Sequence, residues 1–363
     1  MRWVMRGMML GATLLAPVGP LRAQGPMRAD TGTFVMQDFR FASGEILAEV
    51  HIHYRTLGHP RRGPDGTVRN AVLVLHGTGG SGQGFLGPSF AGELFAPGQP
   101  LDSARFYIII PDNLGHGRSS KPSDGLHARF PSYDYEDMTT AQYRLVTEGL
   151  HVNHLHLVMG TSMGCMHSWM WGERWPDFVD GLVPLACLPT QIAGRNRMWR
   201  KLVIDDIRND PAWNHGDYHT QPQGLTAALE LLWFVGTAPL NEQRLAPTQE
   251  AADTFITRWL LPRLGTTDAN DLMYAVAASR DYDPSGQLER IQAPVLAINS
   301  ADDEINPPDL GVMEQLMPRV RQVRYILLPV SPATRGHGTH SLPAIWKHYL
   351  LDFVQAIQPE RPE

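Results

Sequence analysis

The residues best suited to chemistry are Gly160-Thr161-Ser162-Met163-Gly164. They follow an apolar stretch and precede a helical one. A strand that turns sharply into a helix through two glycines forces its middle residue into a strained backbone and lifts its side chain clear of the sheet. The Ser162 hydroxyl would then stand at a helix N-terminus, where the helix dipole favours developing negative charge. A serine hydroxyl needs a base, and the base needs an orienting acid. With this turn, acid and histidine follow the serine in the order Ser, Asp, His. Ser300-Ala301-Asp302-Asp303-Glu304-Ile305-Asn306-Pro307 offers two aspartates, of which Asp303 is preferred and Asp302 is the alternative. Arg335-Gly336-His337-Gly338-Thr339-His340 offers two histidines. His337, between glycines, is the expected base, and His340 is expected to start or support the final helix. The expected oxyanion donors are the backbone N–H of Met163 and the N–H of Thr78, after His76-Gly77.

These residues need a frame. Continuous apolar runs occur at Ala71–Leu75, Tyr107–Pro111, Leu155–Met159, Gly181–Ala186, Val295–Asn299 and Val323–Pro329. Runs without alternation belong to strands buried on both faces, hence to a mostly parallel sheet. Helical stretches at about 138–150, 163–175, 307–317 and 343–356 separate them, which predicts a doubly wound α/β fold. Val50, Ile52 and Tyr54 mark one face of an earlier strand, with His51 and His53 on a partly exposed edge face. Residues 24–36 show no period and are expected to be loose. Residues 190–285 break the rhythm with helical patterns carrying Trp199, Trp213, Trp233 and Trp259. They are expected to form a helical lid over the sheet, dividing the core into residues 24–189 and 286–358, with a solvated tail at 359–363.

Composition narrows the classes. The chain has 363 residues, 43% hydrophobic and 19% charged, which suits a globular core. A net charge of -6 and no basic stripe argue against nucleic-acid binding. Two cysteines make neither a disulfide scaffold nor a cysteine-only zinc site. Cys165 and Cys187 fall near the ends of neighbouring strands, so a bridge is conceivable. Two separate buried thiols are expected, because disulfide geometry is demanding. The pairs His51/His53 and His215/His219 have spacings some metal sites use. Metal binding is not expected at either pair, scaffold roles are expected for His76 and His116, and no metal or cofactor is expected. Arg2 and Arg6, the apolar run Met8–Val18 and Ala23 resemble a secretory signal peptide cleaved after Ala23. The run is too short to span a bilayer, which takes about 20 apolar residues. Export to a periplasmic or extracellular space is therefore expected. Removing three arginines and no acids takes the charge from -6 to -9.

Several motifs together resemble one family. They are His53-Tyr54-Arg55-Thr56-Leu57-Gly58, Asn70 through Gly77, Asp112-Asn113-Leu114-Gly115, Phe130-Pro131, and Asp137-Met138 with Ala141-Gln142. The serine turn, Asp210-Pro211-Ala212-Trp213 and Gly216-Asp217-Tyr218 complete the set. With these the chain resembles α/β-hydrolase-fold proteins of the homoserine O-acetyltransferase group. The resemblance implies a serine acyl-enzyme with Asp and His, which falls on Ser162, Asp303 and His337. Two departures stand out. The transferases carry a glycine-, cysteine- and serine-rich stretch where this chain has His116-Gly117-Arg118-Ser119-Ser120-Lys121-Pro122, which is similar to ordinary hydrolases. Their arginine for the homoserine carboxylate falls at Ile204 here, and neither Arg197 nor Arg200 is in register. The leading expectation is a serine hydrolase acting on an ester or similar acyl bond of a small molecule. The alternatives are acyl transfer, in which an alcohol replaces water, and a non-catalytic binding protein on the same fold.

Overall fold

The computed structural model describes residues 25–357. The proposed signal segment 1–23 and tail 359–363 lie outside the described residues. One sheet of eight strands organises the molecule: β1 (Asp30–Arg40), β2 (Ile46–Leu57), β3 (Ala71–Leu75), β4 (Tyr107–Pro111), β5 (Leu157–Thr161), β6 (Leu182–Leu185), β7 (Val295–Ser300) and β8 (Val323–Leu328). Their spatial order is β1-β2-β4-β3-β5-β6-β7-β8. β4 through β8 run parallel with β3, whereas β2 pairs antiparallel with both β1 and β4.

Alternate side chains of each central strand point to opposite faces. Both faces are apolar because both are covered. Leu73, Leu75, Ile109 and Val158 join one core with Met138, Trp169 and Trp171. Those residues come from α2 (Tyr135–Arg144) and α3 (Met163–Arg174). Val72, Val74, Ile108 and Met159 join the other core with Leu94, Trp346 and Phe353. These come from the short α1 (Ala91–Leu94) and the final α10 (Pro343–Ala356). Between β6 and β7 the chain leaves the sheet as α4 (Gly194–Arg208), α5 (Gly224–Gly236), α6 (Pro239–Leu245), α7 (Gln249–Leu264) and α8 (Ala269–Ala277). This insertion has its own core of Trp199, Val203, Ile207, Leu225, Leu229 and Met273.

Five expectations are corrected. Residues 30–36, expected loose, belong to β1, whose side chains are mostly exposed. Backbone pairing with β2 holds it there, so it carries little hydrophobic period. β2 is therefore no edge, and His53 is buried, with its amide donating to Ser119 Oγ at 2.9 Å. The helix expected at 307–317 reduces to α9 (Val312–Leu316) between short 3-10 turns. Pro307, Pro308 and left-handed Gly311 interrupt it. Cys165 and Cys187 form a disulfide, since strand and helix bring their Cα atoms to 5.9 Å, within bridging range. The helix expected at 138–150 also starts earlier: Asp134 and Asp137 cap α2 reciprocally, and a π-turn over Leu145–Gly149 ends it.

Candidate active site

The turn from β5 into α3 places Ser162 at φ 55°, ψ −111°. Such a conformation costs a non-glycine residue about 1–3 kcal/mol and persists only where its surroundings enforce it. Here the backbone leaves no alternative. A Cβ on Gly160 would lie 2.0 Å from the Gly164 carbonyl, and one on Gly164 would lie 2.1 Å from the Leu75 carbonyl. The Ser162 amide donates to Leu185 O at 2.9 Å and the Gly164 amide to His76 O at 3.1 Å. Three strands thus fix the turn.

Two loops at the same end of the sheet supply the partners. His337 Nε2 lies 2.8 Å from Ser162 Oγ, and His337 Nδ1 lies 2.8 Å from Asp303 Oδ2. With Nδ1–H donating to the carboxylate, Nε2 is left to accept the Ser162 proton. Asp303 is fully buried. Burial alone would raise its carboxyl, but facing His337, the Asn306 side chain and the Ile305 amide hold it below the usual carboxylate range. Asp302 points elsewhere, accepting from Ser300 Oγ and from the Gly336 amide. It ties down the loop that carries His337 without touching the ring. His340 packs edge-on against His337, with centroids 5.1 Å apart, in the turn before α10. Burial, reinforced by His337, pushes it down to about 3, so it stays neutral.

The two expected oxyanion donors flank the serine. Met163 is the first residue of α3. Thr78 follows Gly77, where an added Cβ would meet Ser162 Cβ at 3.1 Å. Among the described residues neither amide donates to a backbone carbonyl. His116 and His76 brace this loop. His116 lies between the carbonyls of Thr78 (2.9 Å) and Leu114 (3.0 Å). His76 Nδ1 donates to Gly77 O at 2.8 Å while Nε2 accepts from the Asn113 amide at 3.0 Å. Burial, then the neighbouring His116, pushes His76 down to about 3.

The sequence reading did not find three features. Asn306 donates to Asp303. Gln142 joins Asn113, His167 and Trp171 beneath the serine helix. Arg200 is buried on α4. The Asn306 signal was present, because an asparagine three residues after an aspartate on a loop closes a local turn. The metal candidates are apart from this site. His51 pairs with Glu49, and His215 sits in a left-handed turn rather than on a helix face. No cluster of three or more potential metal ligands occurs among the described residues.

A strained serine between a strand and a helix, on an open and mostly parallel sheet with a helical insertion, defines an α/β-hydrolase-fold enzyme. The family model described as alpha/beta hydrolase fold matches residues 70–327, and the chain belongs to that family, in its homoserine O-acetyltransferase-like group. A homoserine O-acetyltransferase of Haloferax gibbonsii is 33% identical over 317 residues, covering 74% of each chain. A probable acyltransferase of Methanothermobacter thermautotrophicus is 29% identical, covering 80% of this chain and 89% of that protein. Among solved structures, the homoserine O-acetyltransferase from Bacillus anthracis superposes with a TM-score of 0.78 at 20% identity, covering 90% of this chain and 98% of that one. The acetyl esterase MekB gives 0.76 at 21% identity, covering 90% and 97%. At those identities the structures speak for the fold.

Proposed function

We propose that the chain is a serine esterase acting through Ser162, His337 and Asp303. His337 Nε2 takes the Ser162 proton as Oγ attacks the acyl carbon. Asp303 keeps the imidazole in the required tautomer and balances its charge. The amides of Met163 and Thr78 receive the oxyanion. Collapse expels the alcohol, which takes the proton from His337. Water, activated by the same ring, then attacks the acyl-enzyme and releases the acid. The observation that carries this reading is the unbroken chain Ser162–His337–Asp303, both links at 2.8 Å, starting from a strained serine.

Acyl transfer is the second reading, favoured by the identity to homoserine O-acetyltransferases. Hydrolysis is preferred for two reasons. Ile204, at the position implied for the transferases' arginine, is buried in the apolar core of the insertion. The Ser119–Ser120 loop is spent on stitching β2, with Ser119 Oγ donating to Asp112 O at 2.6 Å and Ser120 Oγ accepting from the His51 amide at 2.9 Å. Export belongs to the same proposal. The Cys165–Cys187 disulfide supports it, because such bonds persist in oxidising compartments.

The test is labelling with a fluorophosphonate probe, then turnover of p-nitrophenyl acetate with and without homoserine. Ser162 labelling with release of free acetate is expected. Turnover that requires homoserine would establish the transferase, and an unlabelled Ser162 would mean a non-catalytic protein.

A further inference from the structure

His337 sits on a loop with little stiffness of its own. Glycines precede and follow it, and Gly336 is left-handed at φ 59°. Asp303 and Ser162 hold the two nitrogens of its ring. Contacts at two points leave the ring free to tilt about the line that joins them, so its faces need packing. His340 supplies it: the two rings meet edge-on, with centroids 5.1 Å apart and planes at 79°. Burial keeps His340 neutral, so no like charge opposes the imidazolium that forms during the reaction.

His340 needs an anchor in turn. Its Nδ1 is buried and has no hydrogen-bond partner in the protein. Trp346, in the first turn of α10, is 0% exposed, and its Nε1–H is equally unpartnered. A buried indole N–H ordinarily finds an acceptor, and a buried polar group left alone destabilises a fold. The two atoms are complementary in kind. An indole nitrogen only donates, and a neutral imidazole accepts at one of its nitrogens. No direct hydrogen bond joins them.

Both residues line one small cavity, which His337 lines as well. Its volume is about 10 Å³, room for a single water molecule. Leu185, Ile298 and Leu328, from β6, β7 and β8, form part of its wall. A cavity of this size with apolar walls alone would stay dry, whereas one bordered by a donor and an acceptor that lack partners suits water. A water that accepts from Trp346 Nε1 and donates to His340 Nδ1 satisfies both.

We infer that His340 is a positioning residue for the base, its ring held against His337 by one buried water shared with Trp346. The effect on rate rests on the esterase reading, whereas the water site does not. The link ties the final helix to the tilt of the catalytic imidazole. It also selects the tautomer of His340, with Nδ1 accepting and the proton on Nε2.

Three variants separate the parts. His340→Phe keeps a ring and removes the acceptor, His340→Ala removes both, and Trp346→Phe removes the donor. With p-nitrophenyl acetate, kcat is expected to fall about tenfold in His340→Phe and further in His340→Ala, since small misplacements of a catalytic group are costly. KM should stay nearly unchanged. The acid limb of kcat/KM should move to lower pH in both, because a looser contact with Asp303 supports the imidazolium less. A merely structural loss would leave that limb in place. Trp346→Phe should lower kcat as His340→Phe does, and His340→Phe/Trp346→Phe should lower it no further, since each change removes the same water. A kcat or an acid limb unchanged in His340→Ala, or losses that multiply in the double variant, would overturn the role. A high-resolution crystal structure of the wild type is expected to show one water between His340 Nδ1 and Trp346 Nε1, and a dry cavity overturns the site. If Trp346→Phe does not fold, the two His340 variants and the crystal structure carry the test. No turnover and no labelling of Ser162 in the wild type sinks the esterase reading, and the crystallographic water then still decides the site.

Discussion

Asn306 grips both oxygens of Asp303: its backbone amide donates to Oδ1 at 3.2 Å and its side-chain Nδ2 to Oδ2 at 3.0 Å. The same Nδ2 lies 3.1 Å from the Ala186 carbonyl, just beyond β6. The acid is therefore held against the central sheet and not merely against its own loop. A rotation of the carboxylate would remove its 2.8 Å contact with His337 Nδ1, so Asn306 acts through Asp303 on the ring. Asn306→Ala removes one donor to a buried carboxylate, a loss of about 1–3 kcal/mol. We expect kcat for p-nitrophenyl acetate to fall on the order of tenfold to a hundredfold with KM nearly unchanged. An equal rise in KM with kcat intact would show that Asn306 shapes the binding site instead.

Asp303 and Asp302 are adjacent in sequence and different in role. Asp303→Asn keeps the shape but places a donor against His337 Nδ1, which favours the wrong tautomer. A comparable replacement in the serine triad lowers kcat by about four orders of magnitude. Asp302→Asn disturbs only the contacts to Ser300 Oγ and the Gly336 amide. A loss of about tenfold or less is expected from it, with a lower Tm as the His337 loop loosens. Steady-state kinetics on both variants decide the matter, and the reverse ranking would remove Asp303 from the mechanism.

These contrasts show what a chain discloses before it folds. The strands from β3 to β7 were legible because burial on both faces leaves an uninterrupted apolar run, whereas β8, at the sheet edge, is mostly half-exposed and shows through its apolar residues alone. β1 was not, because its stability comes from backbone pairing and most of its side chains face water. Ser162 was legible because only two glycines permit its turn. Asp303 against Asp302 was a weighted choice, since one residue of register decides which carboxylate meets the His337 ring and which only the loop that carries it. Arg200 was opaque. In Arg195-Asn196-Arg197-Met198-Trp199-Arg200-Lys201 it is one of four cations on a helix, and sequence does not say which one turns inward. The disulfide was missed for a related reason: two cysteines 22 residues apart meet only once strand and helix pack.

Glu173, on α3, sets a pH dependence away from the site. Burial pushes its carboxyl up to about 7, Arg290 and Arg174 offset only part of that, and Oε2 has no hydrogen-bond partner. A carboxyl raised above its unfolded value binds its proton more tightly in the native state. The stability it contributes is present below about pH 4.5 and is lost as the pH rises through 7. Glu173→Gln keeps the shape and removes the titration. We expect it to be more stable than wild type at pH 8, by about 1–3 kcal/mol at one pKa unit per ~1.4 kcal/mol. The difference should vanish near pH 4. Urea melts at the two pH values check this, and a constant offset between the proteins would exclude Glu173 as the titrating group.

The disulfide lies beside the chemistry. Cys165 is three residues after Ser162 on α3, and Cys187 follows β6, where Asn299 Nδ2 holds its carbonyl at 3.2 Å. The bond therefore fastens the serine helix to the strand end on which Asn306 also rests. A closed loop of this length limits the unfolded chain by about 3 kcal/mol in the chain-entropy picture. Cys165→Ala/Cys187→Ala should lower the denaturation midpoint accordingly. It should also cost activity more than a distant destabilising change of equal size, because Ser162 and the Ala186 carbonyl lose a common tether. Protein unfolded without reductant should show no free thiol, and the same protein after reduction should show two. Two reactive thiols before reduction would mean that helix and strand are joined by packing alone, and the added stability would then have to come from the apolar contacts around Trp169 and Trp171.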